Sequence, residues 1–370
     1  MAARANEIPR WVDYLLVPLV NLLVALLLTG VVVVAVGADP WQALKALVAG
    51  AVVYPGSVGA TLYYATNFIF AGLAVAVAFH AGLFNIGGEG QAYIGGLGVA
   101  LVCLAFDQWT IWIVAPMAVI AAALFGAAWA YIPAYLQAKR GSHIVITTIM
   151  FNFIASALMI YILVDVLIQP GQQAPRSRDF DPGVWLPTAQ EIVGWFGIKI
   201  ARSPLNLSSL LALLSCVFVW IFIWHTRWGY EIRTVGHSER AARYAGISPS
   251  RAIIMAMLIS GALAGFVGFN DIMGVHHYLL QGFTGGVGFV GIAVALMGRN
   301  HPFGVVLASL MFGALYQGGS ELTFDIPQIT REMVVVIQGL VILFCGALEN
   351  MFKPHIVALF RRQSGAEAAA

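Results

Sequence analysis

Nine side chains able to hydrogen-bond lie inside stretches otherwise fit for hydrocarbon: Asn67, Asn85, Glu89, Gln91, Asn152, Asn270, Asp271, Gln317 and Gln338. Three of them crowd into eight residues, Phe84-Asn85-Ile86-Gly87-Gly88-Glu89-Gly90-Gln91, beside three glycines. Glycine weakens a helix by about 1 kcal/mol relative to alanine, and a charge at membrane depth costs roughly 3 kcal/mol more. A segment carrying both costs is either functional or hidden inside protein. Amides donate and accept, which suits a neutral polar solute, and the lack of a membrane-depth arginine argues against an anionic one. Phe84, Tyr93 and Phe151 could stack on a planar ring or simply fill the interior. Asn85, Glu89, Gln91, Asn152, Thr284 and Phe84 are therefore the candidate residues of a solute path. The competing reading for every amide is glue between helices, at about 1 kcal/mol each, and it suits Asn67, Gln317 and Gln338 well. Glu89 stands between the two readings, since it can line a path or brace a bend. Asn270 and Asp271 fit as caps on the outer end of their helix.

Other chemistries lack their residues. None of the four lysines, Lys45, Lys139, Lys199 and Lys353, closes a G-x-x-x-x-G-K-[ST] loop, so the chain carries no P-loop for ATP. No H-E-x-x-H or G-x-S-x-G motif occurs. Cys103, Cys216 and Cys345 are scattered in apolar runs, as small buried hydrophobes are. His276 and His277 are adjacent and would leave a helix on different faces, which makes a poor metal pair and suits a loop or interface position.

The elements that must position these residues are membrane helices. The 370 residues are 60% hydrophobic and 10% charged, with mean hydropathy +0.86, against about 25% charged in soluble domains. A net charge of +2 gives no reason to expect nucleic acid. Apolar runs near 15–36, 61–80, 86–106, 110–136, 144–168, 207–225, 252–273, 284–298, 303–319 and 333–348 predict about ten spans in one all-α polytopic domain, 1–350, with a tail at 351–370. The first run, at about 33 Å as a helix, is long enough to remain as a membrane helix. The segment from Trp41 to Val53 is too short and suits an interfacial or re-entrant helix.

Lysine and arginine set the orientation. The 226–251 connection holds five arginines against two glutamates, Lys139-Arg140 marks a second basic loop, and Lys353, Arg361 and Arg362 mark the C-terminus. Ten spans then place both termini in the cytoplasm. The proline-rich loop 169–206 falls outside, where Trp185, Trp195 and Phe196 suit either an interfacial connector or a docking surface for an external partner. Within 226–251, Ser238 can cap a two-turn helix from Glu239 to Tyr244 that Gly246 stops. Such a helix is unstable alone, so this is a solvated basic loop or an element completed by a partner's groove. A possible internal repeat pairs Gly87-Gly88-Glu89-Gly90 with Gly285-Gly286-Val287-Gly288, and Pro116 plus Phe125-Gly126-Ala127 with Pro302 plus Phe312-Gly313-Ala314. Paired halves with discontinuous helices are common in transporters.

The chain resembles permease subunits of bacterial ABC importers in the ribose/branched-chain amino acid superfamily, over roughly 60–350. The resemblance rests on Phe84 to Gln91, on Thr226-Arg227-Trp228-Gly229 leading through Gly236 to Ala241-Ala242-Arg243-Tyr244-Ala245-Gly246-Ile247, and on Ser260-Gly261-Ala262-Leu263-Ala264-Gly265. The Asn-Ile-Gly-x-Glu-Gly-Gln form is most similar to the nucleoside branch, which works with basic-membrane-protein-type lipoproteins. Sugar permeases share Asn-x-Gly-x-Glu. The resemblance implies a multi-pass protein of the bacterial inner membrane, not itself an enzyme, with ATP and Mg held by a separate ATPase subunit. It further implies a second permease chain, an external binding lipoprotein and a small-molecule substrate. Glu239, Ala241, Ala242, Arg243 and Gly246 would then couple the permease to the ATPase. A proton-coupled carrier using Glu89 is the rival of another class, and an intramembrane enzyme the weaker one.

Overall fold

The computed structural model describes residues 17–169 and 171–344. Arg4, Glu7, Arg10, Asp13, Cys345, Lys353, Arg361 and Arg362 lie outside them, as do both termini. The described residues form an all-α membrane protein whose only β pairing is two isolated bridges, Arg176 with Leu280 and Thr188 with Asn206.

Each of the ten apolar runs carries a helix. In chain order they begin with α1 (Val17–Ala35) and α2 (Pro40–Val52). These two meet at 118°, across a turn where Gly37 takes φ 84° and the Asp39 carboxylate accepts from Trp41 N at 2.8 Å. Pro40 opens α2, where its missing N–H costs nothing. Next come α3 (Ser57–His80), α4 (Gly88–Phe106), α5 (Ile111–Arg140) and α6 (Ile144–Tyr161), the last ending in a π-helical turn at Ile162–Val166. The short α7 (Ala189–Gly194) lies in the 169–206 loop. The series continues with α8 (Ser208–His225), α9 (Arg227–His237), α10 (Glu239–Tyr244) and α11 (Pro249–Gly268), and the last runs into a π-helical segment, Phe269–His276. Then follow α12 (Val287–Met297), α13 (Pro302–Asp325) and α14 (Arg331–Ile342).

Seven of the described helices are long and apolar enough to cross a membrane, or eight if α1 and α2 form one bent span. The run at 284–298 differs most from its sequence reading. Only eleven of its residues are helical, because Gly282, Gly285 and Gly286 adopt positive φ and keep the approach non-helical.

The chain clusters into two compact units, residues 17–50 with 318–344, and residues 51–317. The first is an apolar cluster of Val33, Ala43, Leu322, Ile329, Val334 and Ile337. In the second, α11 packs on α3, α4 and α5. Glycines permit that closeness: a Cβ on Gly261 would strike the Gly126 carbonyl, and one on Gly265 the Ala122 carbonyl, the small-residue packing expected between membrane helices. Burial separates inner from outer helices. The α3 span is 78% buried and the α6 span 17%, so α3, apolar all round, is central and α6 faces outward.

Two segments leave this pattern. After α3 ends at His80, residues 81–87 double back beside it, and α4 begins only at Gly88. After His276, residues 277–286 do the same before α12. The chain after α3 turns back against α9, since Gly82 abuts Gly236. The chain after His276 lies under the 169–206 loop, through Ser177 N to Leu279 O and Phe180 N to His277 O, both 2.8 Å. One segment thus approaches from the connector end of the unit and the other from the loop end, and both finish at a helix N-terminus.

Candidate functional site

The two N-termini meet. A Cβ on Gly288 would lie 2.6 Å from Glu89 Cα and from the Gly88 carbonyl carbon. From that meeting point α4 runs to Asp107, held at the loop end by Arg178 at 2.5 Å. In the opposite direction, α12 runs towards Asn300, whose carbonyl contacts His80 Nε2 at 3.0 Å at the connector end. Each N-terminus presents free N–H groups and about half a positive charge, and Gly87 and Gly286 cap neither helix with a side chain. Glu89 supplies what α12 lacks. It sits in the first turn of α4, and its Oε1 accepts from Thr284 Oγ1 at 2.5 Å and Gly286 N at 2.9 Å, while Oε2 accepts from Gly288 N at 2.8 Å. One carboxylate therefore caps a helix that starts 198 positions further along the chain.

The α3–α4 turnback is braced by amides. Asn85 Nδ2 donates to Gln91 Oε1 at 3.0 Å and to Ser260 Oγ at 2.8 Å. Its Oδ1 accepts from Gly87 N at 2.9 Å and Gln91 Nε2 at 3.2 Å. Ser260 Oγ in turn donates to the Ala74 carbonyl at 2.6 Å. Asn152 on α6 spans the same junction, accepting from Gly90 N and donating to the Ile86 carbonyl, both at 2.9 Å.

Beside Glu89 lies a cavity of about 240 Å³ lined by Glu89, Gly90, Tyr93, Asn152, Ser156, Gly282 and Thr284–Gly286. Of the six path residues read from the sequence, Glu89, Asn152 and Thr284 line it. Asn85 and Gln91 do not. They are buried and engage each other, so they hold the turnback behind the cavity. Phe84 also stays off the wall, packing against Phe79. Tyr93 was visible only as a possible stacking ring. It stacks on Phe283 with centroids 5.2 Å apart, and its hydroxyl accepts from Gly282 N. Ser156 gave no sequence signal beyond lying one helical turn after Asn152. A larger groove of about 650 Å³ in the other unit, lined by Leu23, Leu27, Val31, Val34 and Leu47 among others, is nearly all apolar and offers no converging polar groups.

Asn270 and Asp271 are not end caps. The π-helical segment turns both into the interior, where Asp271 Oδ1 accepts from Tyr63 Oη at 2.5 Å and Asn67 Nδ2 at 2.8 Å. Asn270 donates to Asn67 Oδ1 at 2.8 Å and accepts from Asn206 Nδ2 at 2.9 Å and Ser208 Oγ at 2.6 Å. Asn67 is the glue its sequence context suggests.

In the connector, Ser238 Oγ accepts from Ala241 N at 3.3 Å, α10 spans Glu239–Tyr244, and Gly246 stops it at φ 76°. Glu239, Ala241, Arg243 and Gly246 are exposed, with Arg243 and Glu239 paired at 3.5 Å. Tyr244 is 95% exposed. Ala242, grouped with them from sequence, is fully buried and anchors α10 to its own chain. The preceding helix α9 was missed. It is capped by Thr226, whose Oγ1 accepts from Gly229 N at 3.1 Å, and buries Ile232 and Val235. That Thr cap ahead of two apolar residues three apart was its available signal.

An all-α membrane chain built around two opposed helix N-termini matches a known family. Residues 57–346 fit the model for the permease component of branched-chain amino acid transport systems, and the chain belongs to that family. It is 36% identical to the guanosine ABC transporter permease protein NupP of Bacillus subtilis, over 90% of this chain and 94% of the relative. It is 33% identical to the glucose ABC transporter permease protein TsgB13 of Haloferax volcanii, over 99% and 95%. Identity is also 33% to the nucleoside ABC transporter permease protein NupB of Lactococcus lactis, over 89% and 90%. The chain is thus a multi-pass transport component.

Proposed function

We propose that this chain is the membrane permease of an ATP-driven importer for nucleosides or purine-like solutes in the bacterial inner membrane. It would work with a separate ATPase subunit carrying ATP and Mg, a related second permease and an external binding lipoprotein. The observation that carries a transport role is the half-length helix α12 opposed at Glu89 to the N-terminus of α4, beside a polar cavity, since discontinuous helices meeting within the membrane are where transporters bind solute. The solute class rests on the likeness to NupP and NupB; TsgB13 supports simple sugars as the second reading. A partner permease fits the cavity, which at about 240 Å³ is below the roughly 300–1,000 Å³ usual for ligand pockets and would be enlarged by a neighbouring chain. NupQ and NupC, at 28% identity, are permease proteins bearing the same system names as NupP and NupB.

The proton-coupled rival needs Glu89 free to gain and lose a proton during the cycle. All three of its partners are donors, which suits an acceptor-only carboxylate held in place. Closure of the ATPase against the exposed face of α10, with Arg243, Glu239 and Tyr244, would drive alternating access.

The test is uptake in a strain lacking this chain, complemented with it. Guanosine uptake that returns only when the partner ATPase has an intact P-loop is the expected result. Restored glucose uptake without nucleoside uptake would select the sugar reading. Uptake by the purified chain alone, driven by a proton gradient, would overturn the proposal. Ser156→Ala, which removes a cavity hydroxyl with no hydrogen-bond partner among the described residues, should change the solute KM by about threefold, the worth of one modest hydrogen bond.

A further inference from the structure

We infer that motion of the connector reaches the Glu89 junction through a backbone contact between Gly236 and the α3–α4 turnback. The inference rests on the reading of the chain as an ATP-driven permease and names the route its coupling takes. Gly236 is the penultimate residue of α9, three positions before α10 begins at Glu239. A Cβ there would strike the His80 carbonyl oxygen and lie 2.9 Å from Gly82 N and 3.0 Å from the Ala81 carbonyl carbon. The contact is mutual, since a Cβ on Gly82 would come within 3.3 Å of Gly236 Cα and its carbonyl oxygen. Gly82 has φ 72°, a conformation that leaves its backbone open to this approach. Nothing flexible lies between the two glycines to absorb a displacement.

Three residues beyond Gly82 the chain reaches Asn85, and from there the path is stiff. Asn85 is fixed to Gln91, Ser260 and Gly87 N, and Asn152 holds the Ile86 carbonyl and Gly90 N. Glu89 lies inside that frame. The other side of the contact is equally fixed. Ile232 and Val235 are buried, and α9 packs on α3 and α11. His80 is held by the Asn300 carbonyl and by the edge of Trp224, with centroids 5.1 Å apart. Among the described residues no hydrogen bond joins α10 to the turnback. Coupling can be carried by packed backbone and hydrogen-bond networks, and this junction is contiguous from α9 to Glu89.

The test uses the assembled complex of this chain with its ATPase, second permease and binding protein in lipid nanodiscs. Wild type must first show ATP-dependent transport; failure there would sink the permease reading and this route with it, before any variant is made. With that shown, Gly236→Ala should still assemble and hydrolyse ATP, while solute moved per ATP falls at least about fivefold, the lower end of measured coupling. A wild-type ratio in Gly236→Ala overturns the route. If that variant does not assemble, hydrogen exchange on the wild-type complex decides. A non-hydrolysable ATP analogue should alter protection of the amides from Asn85 to Gln91, and unchanged protection there overturns the route.

Discussion

The two turnbacks, 81–87 and 277–286, do the same job by different means. The first is short and gripped by side chains, with Asn85 and Asn152 bonding its backbone and Gln91 and Ser260 holding the Asn85 side chain. The second is longer and gripped mainly by backbone. Its outer part pairs with the 169–206 loop, through Ser177 and Phe180 to Leu279 and His277, with Trp185 stacked on His277 at 4.0 Å. Its inner part is glycine-rich and takes its order from Glu89 alone among side-chain carboxylates. The first therefore carries its own scaffold, and the second depends on an opposing residue. The difference makes Glu89 the keystone of α12 while α4 can stand without it.

That asymmetry can be broken experimentally. The largest effect is expected for Glu89→Gln. An amide would keep an acceptor for Gly286 N and Thr284 but turn an N–H towards Gly288 N. Leaving part-buried groups mispaired in this way costs up to about 3 kcal/mol, so thermal stability of the purified protein and transport should fall together. Lost transport with an unchanged Tm would instead make Glu89 a solute ligand, and would revive the proton-coupled reading.

Next come the two facing glycines. Gly288→Ala drives a methyl into the Glu89 backbone nitrogen, with Glu89 Cα and the Gly88 carbonyl carbon at 2.6 Å, an overpacking worth roughly 1–3 kcal/mol. Gly88→Ala meets its nearest atom, the Gly288 carbonyl oxygen, at 3.5 Å, and should be near neutral. Equal losses of Tm would refute the claim that the junction is tight from one side only. The smallest effect belongs to the loop end. His277 titrates below the ordinary imidazole range because burial disfavours its charged form. A histidine with a depressed folded pKa stabilises above its unfolded value near 6.5 and loses that contribution as pH falls through the folded pKa. Protease protection of the 169–206 loop should weaken slightly below pH 6, and His277→Phe should reduce the pH dependence while keeping the stack, the remainder belonging to the adjacent His276.

The sequence foretold much of this. Ten apolar runs hold ten helices or half-helices, and Ser238 with Gly246 bounded α10 to the residue. The Gly-Gly-x-Gly repeat now has geometry, because both copies sit where a turnback becomes a helix. Other features were hidden for physical reasons. Glu89 and Gly288 are 199 positions apart, and no local pattern announces a pairing between a side chain and backbone amides. Asn270 and Asp271 read as caps because a π-helical segment, which changes the facing of every later residue, leaves no trace in 3.6-residue periodicity. Asn85 and Gln91 looked like solute ligands because an amide bound to a neighbour and an amide awaiting a solute are the same residue on paper.

The separation of Glu89 from its donors also has a meaning in time. α12 is about 16 Å long, half the thickness of the hydrocarbon core, and so cannot settle across a bilayer by its own hydrophobicity. Synthesis proceeds from the N-terminus, and Glu89 waits through most of the chain before Gly286 and Gly288 exist to bind it. Closing this contact is thus a late step of membrane biogenesis. A nascent chain truncated before α12 would leave this carboxylate without Gly286 N and Gly288 N, two of its three donors.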